Sequence, residues 1–241
     1  MDVSLVIPAY NEAGNIGPLL GEIRDALDGQ FDYEVIFVDD GSDDNTFAEL
    51  INARTDMPRT LRVQRHPYRC GQSAAIFTGV RAARAHWIAT LDADGQNDPA
   101  DIEGMFTRLR RPNADARLQL VAGHRRIRSD GWLKRTSSRI ANSVRRRLLG
   151  DDARDTGCGL KIFSRRTFLE LPHFDHMHRF LPALVRRNGG IVEMYEVNHR
   201  PRRHGRTKYG VHNRLWVGII DLLGVMWLQR RGKIPEWVEE R

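Results

Sequence analysis

The chemistry in this chain is concentrated in carboxylates that sit just beyond short apolar runs. Asp92-Ala93-Asp94 follows Ile88–Leu91, and Asp39-Asp40 follows Glu34–Val38. Two carboxylates at i and i+2 on a turning strand end can face one ligand. Hard divalent cations such as Mg²⁺ and Mn²⁺ take oxygen donors of this kind and share them with substrate phosphates. A cation held there acts as a Lewis acid that neutralises a departing diphosphate. An isolated Asp-x-Asp also serves as turn chemistry, and Ser42 or Asp43 can cap a helix starting near Asp43. Capping leaves two consecutive aspartates beside a second acidic pair unexplained. Such a cluster repels itself unless a cation, or the hydroxyl and amine donors of a nucleotide, offset it.

The opposite charge gathers downstream. Arg202-x-x-Gly205-x-Thr207-Lys208-Tyr209 offers a planar guanidinium fork and a mobile ammonium, both suited to phosphate. Gly205 and Gly210 let this loop bend over a site. A further candidate is His178, near a helix start where it can touch an acceptor. A lone histidine in that position is more often structural. Cys158 reads as a small packed residue.

The elements that must position these groups follow from apolar spacing. Val3–Pro8, Glu34–Val38, Leu61–Gln64, Trp87–Leu91 and Leu118–Ala122 read as strands. Asn15–Leu27, Asp43–Ala53, Gly71–Ala85 and Pro99–Leu109 read as helices. The alternation predicts an α/β fold, a mostly parallel sheet with helices on both faces. Ligands in such sheets lie beyond the carboxyl ends of the strands, so Pro8-Ala9-Tyr10-Asn11-Glu12, Asp39-Asp40 and Asp92-Ala93-Asp94 should converge. In the second half, a helix from about Trp132 to Leu149, a loop entering a strand at Asp155–Phe163, helices at Arg165–Leu171 and Arg179–Arg187, and a strand at Ile191–Val197 precede the basic loop His199–Gly210.

Composition narrows the classes. The 241 residues, 41% hydrophobic and 29% charged, fit an ordinary folded chain. Two cysteines far apart suggest a reducing compartment, and the N-terminus shows no secretory signal. The net charge of +7 hides an asymmetry: residues 1–122 carry 12 Lys/Arg against 19 Asp/Glu, and residues 123–241 carry 26 against 12. An acidic half suits a cation and a basic half suits phosphates, lipid head groups or nucleic acid. The basic stretches lack aromatic interleaving and any nucleic-acid motif, which counts against the last. The first turn lacks GxGxxG and no Walker lysine loop is present, so dinucleotide-binding and NTPase readings lose support.

Val6-Ile7-Pro8-Ala9-Tyr10-Asn11-Glu12, Val38-Asp39-Asp40-Gly41-Ser42, Gly71-Gln72-Ser73-Ala74-Ala75 and Leu91-Asp92-Ala93-Asp94-Gly95-Gln96 resemble, in order, the motifs of glycosyltransferase family 2. The nearest branch is that of dolichol-phosphate mannosyltransferases and polyprenyl-phosphate glycosyltransferases. The resemblance covers most of residues 3–125, with weaker matches to about 210. It implies a GT-A fold, an inverting transfer from a nucleotide-sugar (GDP-mannose or a UDP-hexose) to a polyprenyl-phosphate lipid, and a divalent cation, Mg or Mn. By the same resemblance Pro8, Tyr10, Glu12, Asp39 and Asp40 belong to the nucleotide pocket. Asp92, Ala93, Asp94 and Gln96 surround metal and sugar diphosphate, and Arg125 contacts the donor. Arg202 and Lys208 meet phosphates, with Thr207 in place of the usual serine. Asp155 stands where many inverting relatives keep a base; a phosphate acceptor, already ionised, needs one less than a hydroxyl does. Cys158 departs from the family pattern around it. The rival readings are transfer to a glycan hydroxyl and a GT-A scaffold that only binds a nucleotide.

The expected organisation is a catalytic domain at 1–210, with a donor half at about 1–125 and an acceptor half at about 126–210, then a helical tail at 211–241. Leu215–Leu228 is apolar apart from Asp221 and spans about 21 Å as a helix, short of a hydrocarbon layer of about 30 Å. It fits a helix lying in a membrane interface between Trp216 and Trp227, or one that closes the core. Arg145-Arg146-Arg147 can add contact to anionic lipid. The expected location is cytoplasmic, peripheral on the inner face of the membrane.

Overall fold

The computed structural model describes residues 1–125, 145, 147–151, 153, 155–202 and 211–231, with side chains of the last segment from 217. Strands form where apolar residues run almost without interruption: β1 (Val3–Ala9), β2 (Tyr33–Asp39), β3 (Leu61–Arg65), β4 (Trp87–Thr90), β5 (Leu118–Arg125), β6 (Lys161–Ser164) and β7 (Ile191–Val197). They make one sheet in the order β3-β2-β1-β4-β6-β5-β7. All neighbours are parallel except β6, which runs against both β4 and β5. Both faces of the sheet are buried. Leu5 and Ile7 point to one core with helices α1 (Ile16–Leu27), α2 (Thr46–Asp56) and α4 (Asp101–Arg110). Val6, Ile36 and Val38 point to the other, which is covered by α3 (Gln72–Ala82), α5 (Arg165–Glu170), α6 (Leu181–Arg187) and α7 (Val211–Arg231).

The expected helices stand among the described residues, with shifts that have local causes; most of the expected helix from about Trp132 to Leu149 lies outside them. α1 buries Ile16, Leu19, Leu20, Ile23 and Leu27, the stripe read from the sequence. α2 begins at Thr46 and not at Asp43, because Asp43 and Asp44 are used elsewhere. Asp43 Oδ1 accepts from Asn11 Nδ2 at 2.5 Å, and Asp44 Oδ1 accepts the Thr46 N–H at 2.9 Å. The stretch from Arg179 splits into a 3-10 turn, Met177–Arg179, and α6, with Pro182 in its first turn. The tail helix does close the core on one side: Val225 is buried, Leu222 and Met226 pack on the second core, and Asp221 Oδ2 lies 3.1 Å from His176 Nδ1.

Chain order creates the site. After β1 the chain builds outward through β2 and β3, then returns to β4 on the other side of β1. The crevice between β1 and β4 is a topological switch point, where open α/β sheets bind ligands. Because β6 is antiparallel, its first residue, Lys161, lies at that same edge, opposite Thr90 and Ala122. The loop 155–160 that feeds β6 therefore meets the end of β4.

Candidate active site

The turn after β4 is locked by its own side chains. Asn97 Oδ1 accepts the Asp92 N–H at 2.9 Å, and Asp94 Oδ1 accepts the Gln96 N–H at 3.1 Å. Gly95 takes φ +71°, a left-handed turn that glycine adopts without strain. Asp92 and Asp94 thus meet one crevice. Their mutual repulsion is visible in Asp92: burial first, and the charge of Asp94 second, push its carboxyl up to about 6, against the pull of Lys161, Gln72 and Arg125. Two carboxylates short of positive charge form a donor set that fits a hard divalent cation. Arg202 Nη2 lies 2.6 Å from Asp94 Oδ2 and supplies part of the missing charge. It arrives because residues 199–202 run beside the turn, through the Asn97–His199 bridge and the Arg200 N–H bond to Gln96 O at 3.1 Å.

Three neighbours of the acid pair carry no role in the sequence reading. Gln72, the first residue of α3, donates from Nε2 to Asp92 Oδ1 at 2.9 Å. Lys161 is buried under the site and donates to Cys158 O, pinning the 155–160 loop. Gly159 lies flat against Asp92: a Cβ there would stand 2.3–2.7 Å from its carboxylate atoms. Gly71 and Gln72 are legible as a motif, and Gly159 stands in a recognisable loop. Their partners are 20 and 67 residues away, and spacing does not reveal that.

Asp155 is buried and held by a guanidinium fork. Arg125 Nε and Nη2 donate to its two oxygens at 2.5 and 2.8 Å. This bidentate pair joins the end of β5 to the loop before β6. His178 is buried beside Ser73, whose Oγ accepts the His178 backbone N–H at 3.4 Å and lies 2.7 Å from Nδ1. Burial holds the ring neutral, far below its ordinary pKa, with Lys161 and Arg179 acting in the same sense. Cys158 is buried in the first core.

At the β1 and β2 ends two loops are stapled together. The Asn11 N–H donates to Ser42 Oγ at 3.0 Å and the Glu12 N–H to Thr46 Oγ1 at 2.8 Å. Glu12 also accepts from Asn15 at 2.8 Å, and the Arg69 guanidinium covers the Tyr10 ring at 4.4 Å. Pro8 pairs with Val38 on the same edge. Asp39 is fully buried. Its Oδ1 accepts the Ser42 N–H at 3.1 Å, and its Oδ2 lies 3.1 Å from Arg65 Nε without a hydrogen bond. Asp40 is turned away, towards the loop after β3, and accepts the N–H groups of Cys70 and Gly71 at 2.8 and 2.7 Å. Ala93 is buried in the first core between the two acids. The structure thus brings Pro8, Tyr10, Glu12, Asp39, Asp92, Asp94, Gln96, Arg125, Asp155 and Arg202 to one sheet edge. Lys208, with Gly205, Thr207 and Tyr209, lies outside the described residues. Of the basic triplet, Arg146 does too, and Arg145 is buried in a bidentate pair with Asp151 at 3.0 and 2.6 Å. Arg145 therefore does not face a lipid surface.

The packing of Gly159 on Asp92 has a direct consequence. Gly159→Ala should weaken Mn²⁺ binding by about tenfold or more. The melting temperature should fall by less than about 4 °C, the shift expected for roughly 1 kcal/mol. Electron paramagnetic resonance titration and thermal unfolding measure the two; unchanged Mn²⁺ affinity would remove Gly159 from the site.

Comparison with known proteins gives the family and the fold. The family model for glycosyl transferase family 2 matches residues 4–171. The dodecaprenyl-phosphate galacturonate synthase of Rhizobium johnstonii is 39% identical over 240 residues, covering 95% of this chain and 68% of the relative. The undecaprenyl-phosphate 4-deoxy-4-formamido-L-arabinose transferase of Edwardsiella ictaluri is 32% identical over 211 residues, 87% of this chain and 63% of the relative. The chain thus spans about two thirds of the length of these curated relatives. Among solved structures, the glucosyl-3-phosphoglycerate synthase of Mycobacterium tuberculosis, in complex with Mn²⁺, UDP and glucosyl-3-phosphoglycerate, superposes with a TM-score of 0.68 at 19% identity, covering 95% of this chain and 79% of that one. The sheet order, the acid pair at the switch point and the match over residues 4–171 lead to one assignment: this chain belongs to glycosyl transferase family 2.

Proposed function

We propose that this chain transfers a sugar from a nucleotide-sugar to the phosphate of a polyprenyl-phosphate lipid, with inversion at the anomeric carbon. The observation that carries the reading is the acid pair Asp92/Asp94, set at the switch point with Gln72 and Arg202 bonded to it. The two relatives described above are named for polyprenyl-phosphate products or acceptors. Asp92 and Asp94, with Gln96 beside them, would hold the divalent cation, which when bound neutralises the departing diphosphate. The catalytic unit is residues 1–210, donor half to about 125 and acceptor half beyond, with 211–241 as the tail.

In the proposed mechanism a phosphate oxygen of the lipid forms the new bond to the anomeric carbon as the bond to the diphosphate breaks. The donor's nucleoside lies over the β1 and β2 ends, beside the buried Asp39, whose Oδ2 is paired with Arg65. Several phosphate charges must come together, and Arg202, Arg125 and Lys208 offset them; preorganised positive charge is the largest contribution such a site can make. Asp155 positions Arg125 and removes no proton, since both its oxygens are held by that guanidinium. The neutral His178 ring touches the acceptor. A glycan-hydroxyl acceptor fits less well, because it needs a base and Asp155 is committed.

Radiolabelled nucleotide-sugars incubated with polyprenyl phosphate and Mn²⁺ should give organic-extractable label. A chelator should abolish it and added Mn²⁺ or Mg²⁺ restore it; label that appears only in a water-soluble glycan would overturn the acceptor.

The reading also gives α7 a task. Asp221 and Val225 face the body, while Ile219, Ile220, Leu223 and Trp227 are 39%, 67%, 59% and 59% exposed. Among the described residues no helix is long and apolar enough to cross a membrane. The outer face of α7 lies on the lipid surface, with Arg230 and Arg231 near head groups, at the inner face of the cell membrane. The chain should co-float with anionic phospholipid vesicles. The double substitution Ile220→Asp and Leu223→Asp should remove most of that binding while leaving the fold intact by circular dichroism; flotation equal to the parent chain would remove α7 from the membrane contact.

A further inference from the structure

The chain that leaves β7 is bound to the acid turn at every second residue. The Asn198 N–H and Nδ2 donate to the two carboxylate oxygens of Asp101 at 2.8 and 3.2 Å. The Arg200 N–H donates to Gln96 O at 3.1 Å, and Arg202 Nη2 lies 2.6 Å from Asp94 Oδ2. Residues 198–202 thus form a strap laid along the turn, antiparallel to it at the Asn97–His199 bridge. Asn97 ties strap and acid pair together, because its Oδ1 accepts the Asp92 N–H.

One side chain fixes this strap to a third element. Arg200 Nη2 donates to Asn97 O at 2.9 Å and to Glu22 Oε2 on α1 at 2.7 Å, and it lies 3.9 Å from Asp98 Oδ1. The guanidinium therefore spans α1, the acid turn and the strap. Its side chain is 30% exposed, and its Nε is buried without a hydrogen-bond partner. An unsatisfied donor costs stability, and a partly exposed ion pair contributes little. Stability alone is thus a poor account of Arg200. What its placement does secure is Arg202, two residues on, whose charge lies against the acid pair.

We propose that Arg200 is a positioning residue: clasped by Glu22 and Asn97, it holds Arg202 on Asp94 Oδ2 as a resident counter-ion, poised to pass to the donor's diphosphate. This rests on the reading that the acid pair holds a divalent cation and that Arg202 meets phosphate. Asp94 Oδ1 already accepts the Gln96 N–H, so Arg202 and a cation draw on the same remaining oxygen. In the unloaded chain Arg202 offsets the acid pair in the cation's place. In the loaded chain its guanidinium swings to the phosphates that arrive with the cation, while Arg200 keeps the strap where it is. Cation and diphosphate are thereby taken up together in preference to the cation alone.

The test reads binding and needs no turnover. Mn²⁺ is titrated against the full chain by electron paramagnetic resonance. UDP or GDP, whichever the parent binds more tightly, is titrated in saturating Mn²⁺ by calorimetry. Arg200→Met should bind Mn²⁺ alone about threefold more tightly, because Arg202 no longer holds its place on Asp94. The same variant should bind the nucleotide about tenfold more weakly. Glu22→Gln should move both affinities in these directions, although it removes a negative charge and Coulomb attraction by itself would then weaken Mn²⁺ binding. Arg200→Lys, which keeps the charge, should recover part of the nucleotide affinity. Should Arg200→Met fail to fold, Glu22→Gln decides. Affinities for Mn²⁺ and nucleotide that do not move in opposite directions overturn the proposal and leave the acid pair as the cation site. A parent chain that binds no Mn²⁺, or whose Mn²⁺ binding survives Asp94→Asn, overturns that site and this proposal with it.

Discussion

Two carboxylates held side by side in a partly buried turn set the terms for everything around them. Burial first, and the charge of Asp94 second, raise the Asp92 carboxyl, and Lys161, Gln72 and Arg125 offset this only in part. Each neighbour is an answer to that deficit. Arg202 reaches Asp94, Gln72 bonds Asp92, Lys161 lies beneath and Arg125 stands behind Asp155. The arrangement remains acidic enough to need a cation and cationic enough at its rim to receive phosphates.

The fold provides the address for this chemistry. Only an antiparallel β6 delivers the 155–160 loop to the edge where β4 ends, and only the return from β3 to β4 opens the crevice beside β1. The same edge carries the stapled loops after β1 and β2, with Asp39 buried between them. α7 seals the second core on one side and presents apolar residues on the other. The proposed donor, acceptor and lipid contacts thus fall on different parts of the fold.

The alternating fold was legible in the sequence, because parallel strands buried on both faces read as unbroken apolar runs and α1 shows its stripe plainly. The direction of β6 was not: four residues, two of them apolar, carry no sense of direction. Asp92 and Asp94 were legible from their place after a strand. Gln72, Gly159 and the Ser73–His178 pair were not, because their contacts cross 20, 67 and 105 positions of sequence. Asp40 reads as one of a pair with Asp39, yet it faces the opposite way, towards the loop after β3. Arg145 reads as one of three surface arginines and is the buried partner of Asp151. Adjacent residues of one charge took different tasks because strand alternation and local loops separate their side chains.

The central claim is that the acid pair grips one doubly charged ion. Crystals of the full chain soaked with Mn²⁺ and either UDP or GDP, measured for anomalous scattering, test it most directly. The account predicts one strong peak between Asp92, Asp94 and the nucleotide diphosphate, lost in Asp94→Asn. An ordered diphosphate with manganese nowhere near those two carboxylates would contradict it.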